Sequence, residues 1–173
     1  MKSIELDKED FKWFKSLTLY NTVLMGRNTW QTLPNKFLPQ RANIVLTKDP
    51  SKIDNIDEVT VFNSLEAAKV FIDSQLPLSE VFVIGGANVY TQTLDLCDVL
   101  YVTEYQTSTL ADVFFPEIDN SWELIAESVD LELDSLIYTH KVYFRRDIDE
   151  KSAIVSISKF EPLCEWKYIN FTK

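Results

Sequence analysis

VIGGANVY, residues 83–90, ends an apolar strand on two glycines and starts a helix at once. VLMGRNTW, residues 23–30, does the same with one glycine. Gly26, Gly85 and Gly86 are the only three glycines in the chain. Glycine at such a corner lets a ligand approach the backbone, and the first N–H groups of the following helix, with its dipole, favour an anion. Tight turning alone would account for one glycine. Placing the whole supply at two equivalent corners points to a nucleotide-binding crevice at the carboxyl ends of two strands. The spacing is not G-x-G-x-x-G, so an ordinary dinucleotide-binding fold is not implied.

Working outward, the pattern alternates strand and helix. Residues 7–19 read as an amphipathic helix with Asp7 as its cap and Phe11, Phe14, Leu17 and Trp13 toward the core. TVLMG (22–26), ANIVLT (42–47), EVTVF (58–62) and EVFVIGG (80–86) read as buried strands. RNTWQTL after the first and ANVYTQTLDL after the last read as helices. SLEAAKVFIDSQL (64–76) is a helix capped by Ser64, with an apolar stripe at 65, 68, 71 and 72. Both prolines keep PNKFLPQR out of a ladder. VLYVTEYQ (99–106) is a further strand, and WELIAESVDLE and IYTHKVYFRR alternate like antiparallel partners. The fold class is therefore α/β, a central and mostly parallel sheet with an antiparallel C-terminal hairpin and helices on both faces, in a single domain over residues 1–173.

Composition narrows the function classes. With 173 residues, 46% of them hydrophobic, the chain can bury one full core. A formal charge of -10 argues against a nucleic-acid or anionic-membrane surface. It leaves room for an anionic small molecule, because local cations outweigh a distant acidic surface. Cys97 and Cys164 have no metal-like spacing and suggest a reducing compartment. MKSIELDKED is too charged for a signal peptide, so a cytoplasmic domain is expected, and it is taken to be a monomer. Arg27 stands beside the first glycine corner, and Thr47 and Lys48 end the next strand. Two cations and a hydroxyl suit a phosphate monoester. Lys48 beside Asp49 reads equally as a solvated loop charge.

The stretches DFKWFK (10–15), VLMGRNTWQTLP (23–34), LPQRANIVLT (38–47), VIGGANVY (83–90), LYVTEY (100–105) and DVFFP (112–116) together resemble dihydrofolate reductase in order and spacing, over roughly residues 6 to 146. The resemblance implies NADPH-dependent reduction of 7,8-dihydrofolate to 5,6,7,8-tetrahydrofolate. By position it implies that Asp10 is the active-site carboxylate. One carboxylate can accept both the 2-amino group and N3–H of a pterin, and the reaction needs a proton at N5. Phe11, Phe14, Leu33 and Leu38 would line the pterin and p-aminobenzoyl slot, a role compatible with ordinary packing. Arg41 would pair with the glutamate carboxylate, and Thr103 would bond Asp10.

Cofactor contacts are implied for Gly26, Arg27, Asn28 and Thr29, for Leu46, Thr47 and Lys48, and for Ile84, Gly85, Gly86, Ala87, Asn88, Val89 and Tyr90. Among these, Arg27, Thr47 and Lys48 would hold the adenosine 2′-phosphate. A cis bond is expected between Gly85 and Gly86, as in the family. No metal or covalent intermediate is suggested, since the cofactor carries the hydride. His140, the single histidine, reads as a structural residue of a late strand.

One feature departs from the family. Its members begin with an apolar central strand and a mobile loop, and nothing of that kind precedes Asp10. SAIVSISKF (152–160), after the polar linker DIDEK (147–151), is similar to that first strand. Circular permutation is the reading adopted: 152–160 would be the central strand, Ile154 and Ser156 would approach the cofactor, and EPLCEWKYINFTK would be the front half of the loop, with Trp166 or Tyr168 over the nicotinamide. The competing account is an extension that adds an edge strand to a truncated gene. A soluble 1–149 fragment that binds NADPH would overturn permutation. Two loop ends in place of a continuous lid would close less decisively and slow turnover. Two other functions stay open at this point: a catalytically weak or inactive binding or structural relative, and a pyrimidine reductase of riboflavin synthesis.

Overall fold

A computed structural model describes residues 8–54, 57–76, 78–108, 110–133, 135–147 and 166–168. The strand expected over 152–160, with Ile154 and Ser156, lies outside the described residues, as does Asp7. The chain divides into two compact units. One takes residues 15–95 and 113–116; the other takes residues up to 14, 96–112 and from 117 onward.

The first unit is a four-stranded parallel sheet. β1 (Thr22–Gly26) lies between β2 (Ala42–Leu46) and β4 (Val81–Val83), and β3 (Thr60–Phe62) flanks β2. Val23, Leu24 and Met25 are at most 2% exposed, as are Ile44 and Val45, so these strands are apolar on both faces rather than alternating. α3 (Leu65–Gln75) begins where the Ser64 hydroxyl accepts the Ala67 N–H at 3.2 Å. Its stripe of Leu65, Ala68, Phe71 and Ile72 packs on Leu24 and Ile44, as the periodicity predicts. β4 is shorter than expected and ends at Val83, before the glycine pair.

The second unit is antiparallel. β5 (Val99–Tyr105), β8 (Leu136–Arg145), β6 (Trp122–Ser128) and β9 (Trp166–Tyr168) lie in that order, and β7 (Leu131–Leu133) also pairs with β8. WELIAESVDLE is thus two strands rather than one. β6 carries a bulge between Leu124 and Ala126. Trp166–Tyr168, expected in a loop, pair instead with Ser128–Ala126 at the edge of this sheet. Three consecutive extended residues satisfy the outer hydrogen-bonding groups of β6, which a loop would leave to water.

α1 (Lys8–Thr18) enters the chain's described part with acidic Glu9 and Asp10 in its first turn. Its buried positions are Asp10, Trp13, Leu17 and Thr18, the first three spaced three and four apart. Phe11, expected on that face, is 49% exposed. Trp13 takes the place because its ring lies 4.0 Å from that of His140 and edge-on to Tyr101 at 6.1 Å. No helix among the described residues is long and apolar enough to cross a membrane.

Candidate active site

The glycine corners are neighbours. β1 and β4 run parallel with Leu24 opposite Val83. Beyond that pair, the Ile84 N–H donates to the Leu24 carbonyl at 2.9 Å and the Gly26 N–H to the Gly85 carbonyl at 2.7 Å. Gly26 then opens α2 (Arg27–Thr32), and Gly86 opens α4 (Ala87–Thr93). The Gly85–Gly86 peptide bond is cis, as the resemblance implied.

Each glycine has a separate reason. Gly85 sits at φ +107°, which side chains resist, and a Cβ there would meet the Tyr90 ring at 3.2 to 3.3 Å. A Cβ on Gly26 would stand 3.0 Å from Val89 Cγ2, so that corner needs close approach. Gly86 has neither constraint: its φ is −81° and a Cβ would find only Thr29 Oγ1, at 3.5 Å. Its bare backbone leaves open space beside the first turn of α4. The space adjoins N–H groups that have no acceptor within the helix, an arrangement that favours an anion. The Tyr90 ring that closes one side is itself held edge-on to Phe115 at 4.8 Å.

The cations follow from register. Gly26 pairs with Leu46, so Arg27 and Thr47 leave the paired ends of adjacent strands. Thr47 Oγ1 accepts the Asp49 N–H and donates to the Asp49 carbonyl, both at 3.2 Å, which folds the loop back around the hydroxyl. Lys48 is exposed, and its charge reaches the start of α3. There the Glu66 carboxyl lies below its ordinary range because of its own backbone N–H and the Ser64 hydroxyl, with a smaller contribution from Lys48. Arg27 is half-buried.

The loop before β2 is clamped by a residue the sequence reading passed over. Asn43 is 4% exposed. Its side chain accepts from the Leu38 N–H and donates to the carbonyls of Leu38 and Arg41, each at 2.9 Å. An amide inside the apolar run ANIVL was the available signal, because a buried amide needs several partners. The clamp fixes Leu38, buried, and Arg41, half-buried. Desolvation lowers the Arg41 pKa from its ordinary value, yet a guanidinium remains charged. Gln40 adopts φ 60°, the left-handed turn that completes this loop. Leu33 ends α2, half-buried.

In the antiparallel unit, Asp10, Thr103 and His140 are brought together. Thr103 and His140 are direct partners across β5 and β8. The Thr103 hydroxyl donates to Asp10 Oδ1 at 2.6 Å and lies 3.1 Å from His140 Nδ1. Asp10 is 9% exposed, enough to offer oxygen atoms to a ligand while water is largely excluded. Phe11 and Phe14 present tilted rings 6.0 Å apart on the same helix.

A buried carboxylate bonded by a threonine, and a cis bond between paired glycines, are features the resemblance implied. The family model for dihydrofolate reductase matches residues 5–145. The chain belongs to the dihydrofolate reductase family. It is 35% identical to the dihydrofolate reductase of Buchnera aphidicola over 138 residues, 79% of this chain and 80% of that one. It is 38% identical to that of Neisseria meningitidis over 127 residues, covering 73% and 75%. A solved structure of the Enterococcus faecalis dihydrofolate reductase, complexed with NADP(H) and RAB-propyl, matches with TM-score 0.68 at 33% identity, covering 80% of this chain and 82% of that chain. The α/β fold is thus the one found in dihydrofolate reductases. Every described site residue falls inside the family match, whereas Ile154 and Ser156 fall outside it.

Proposed function

We propose that this chain reduces 7,8-dihydrofolate to 5,6,7,8-tetrahydrofolate with NADPH. The observation that carries the reading is Asp10: a nearly buried carboxylate, oriented by Thr103, on a helix that also presents Phe11 and Phe14. Asp10 accepts the pterin's 2-amino and N3 hydrogens, which orients the ring, and assists delivery of the proton to N5. Phe11, Phe14, Leu33 and Leu38 supply apolar contact for the rings, and Arg41 takes the glutamate carboxylate. Bound NADPH supplies the hydride. Gly26, Asn28, Thr29, Leu46 and Ile84 through Tyr90 hold its diphosphate and nicotinamide side, and Arg27, Thr47 and Lys48 hold the 2′-phosphate. Loss of NADPH absorbance on adding dihydrofolate to the full chain tests the whole. A folded protein that binds NADPH without oxidising it would transfer the reading to a binding relative. Neither that alternative nor the pyrimidine reductase is favoured by the family match and relatives.

The 2′-phosphate assignment has its own test. Arg27→Leu should reduce the preference for NADPH over NADH by roughly ten- to a hundredfold, the worth of one charged hydrogen bond. The ratio of kcat/KM for the two cofactors measures it. An unchanged ratio would remove Arg27 from the phosphate site. The cysteine spacing of the chain fits a reducing, cytoplasmic compartment, and light scattering at several concentrations tests the further expectation that it is a monomer.

A further inference from the structure

His140 reaches the Asp10 carboxylate through Thr103 rather than directly. Its Nδ1 is 3.8 Å from Asp10 Oδ1, beyond a hydrogen bond, and 3.1 Å from Thr103 Oγ1. Thr103 has one hydroxyl proton, and that proton goes to Asp10. Its oxygen therefore meets Nδ1 with lone pairs only, so Nδ1 must carry a proton. Were Nδ1 bare, two lone pairs would face each other around a residue only 3% exposed. The ring has little freedom to escape this. It lies 4.0 Å from Trp13 and 5.5 Å, edge-on, from Tyr138. Its backbone N–H donates to Ser128 Oγ at 3.0 Å.

We propose that His140 is a positioning residue for the reaction: its Nδ1–H occupies the Thr103 oxygen and so commits the Thr103 proton to Asp10. The proposal rests on Asp10 being the pterin-binding carboxylate. An N–H on the hydroxyl oxygen polarises the O–H beyond it, and it denies the hydroxyl any rotamer that points its proton back at His140. Asp10 Oδ1 is then held at a fixed angle, with its remaining lone pairs turned to the substrate. The ring acts through Thr103 and needs no charge of its own.

A single histidine makes the test direct. The imidazole of ¹⁵N-labelled full-length protein gives one pair of nitrogen signals, and they should show a proton on Nδ1. Thr103→Val, which removes the acceptor, should release that bias. An unprotonated Nδ1 in the unmodified protein overturns the proposal. His140→Phe keeps a ring but removes the donor, and His140→Asn returns an N–H near the Nδ1 position. His140→Phe should raise the KM for dihydrofolate by roughly two- to tenfold, the net worth of a hydrogen bond, and leave the KM for NADPH unchanged. His140→Asn should recover most of that loss. If both variants fold and behave alike, the proposal fails. If His140→Phe does not fold, the nitrogen signals and His140→Asn decide. Asp10→Asn run beside them separates the two ideas, because retained activity there would overturn the reading of Asp10 itself.

Discussion

Asp10→Asn should lower kcat/KM for dihydrofolate by roughly 10²- to 10⁴-fold, the range for losing a positioned acid–base group. Asparagine matches the shape of the carboxylate, and its oxygen can still accept the Thr103 proton, so the antiparallel unit should keep its fold. What changes is the other half of the group. An NH₂ would face the pterin's 2-amino and N3 hydrogens, setting donor against donor. An amide also cannot assist the proton transfer to N5. Steady-state rates, with cofactor affinity from NADPH fluorescence, give the answer. A loss of activity with NADPH affinity intact supports the assignment, and a rate within tenfold of the parent refutes it.

Gly85→Ala should act on both stability and cofactor binding. At φ +107° an alanine costs about 1–3 kcal/mol, and its Cβ would also press on the Tyr90 ring at 3.2 to 3.3 Å. That ring cannot yield freely, because Phe115 stands against it. For a chain of this size the backbone cost alone lowers Tm by about 2–12 °C. NADPH affinity should fall at least tenfold, since Tyr90 and the first turn of α4 move together. Gly86→Ala is the informative partner. Its φ is ordinary and its Cβ has room, so Tm should hold, while the methyl fills the space and weakens NADPH. Thermal unfolding and cofactor titration of both variants separate backbone strain from ligand exclusion. Normal NADPH binding by Gly86→Ala would move the cofactor away from this corner.

The parallel sheet and its corners were legible because their signals are local. Apolar runs that end in glycine, and Ser64 before a stripe at 65, 68, 71 and 72, need no distant partner to be read. The first helix was harder. Phe11, Phe14 and Leu17 satisfy helical spacing as well as Asp10, Trp13 and Leu17 do. The choice between them is made by His140 and Tyr101, which arrive from strands about ninety to a hundred and thirty residues later. The same distance hid the tie between Thr103 and His140, since it depends on the register of β5 against β8. Asn43 was overlooked because its partners lie in a loop with no periodicity. Trp166–Tyr168 carried no pattern that separates a three-residue edge strand from a loop.

The bulge in β6 has a bearing on how such a site changes over generations. Leu124 pairs with Tyr143, yet Ala126 rather than Ile125 pairs with Val142. Ile125 is thus an extra residue, and it sets which side chain arrives at the end of the strand. Counting on from Glu127 opposite Lys141, the residue facing His140 is Ser128, whose hydroxyl takes the His140 N–H. Were Ile125 to pair in a regular ladder instead of bulging, Glu127 would stand there, bringing a second carboxylate toward Asp10. A lost codon at Ile125 would close the bulge and leave Ser128 opposite His140, whereas straightening the ladder at full length would recharge the surroundings of a carboxylate on another element while every residue of the site kept its identity. At this position the pairing of the chain, as much as its lettering, sets what faces the carboxylate.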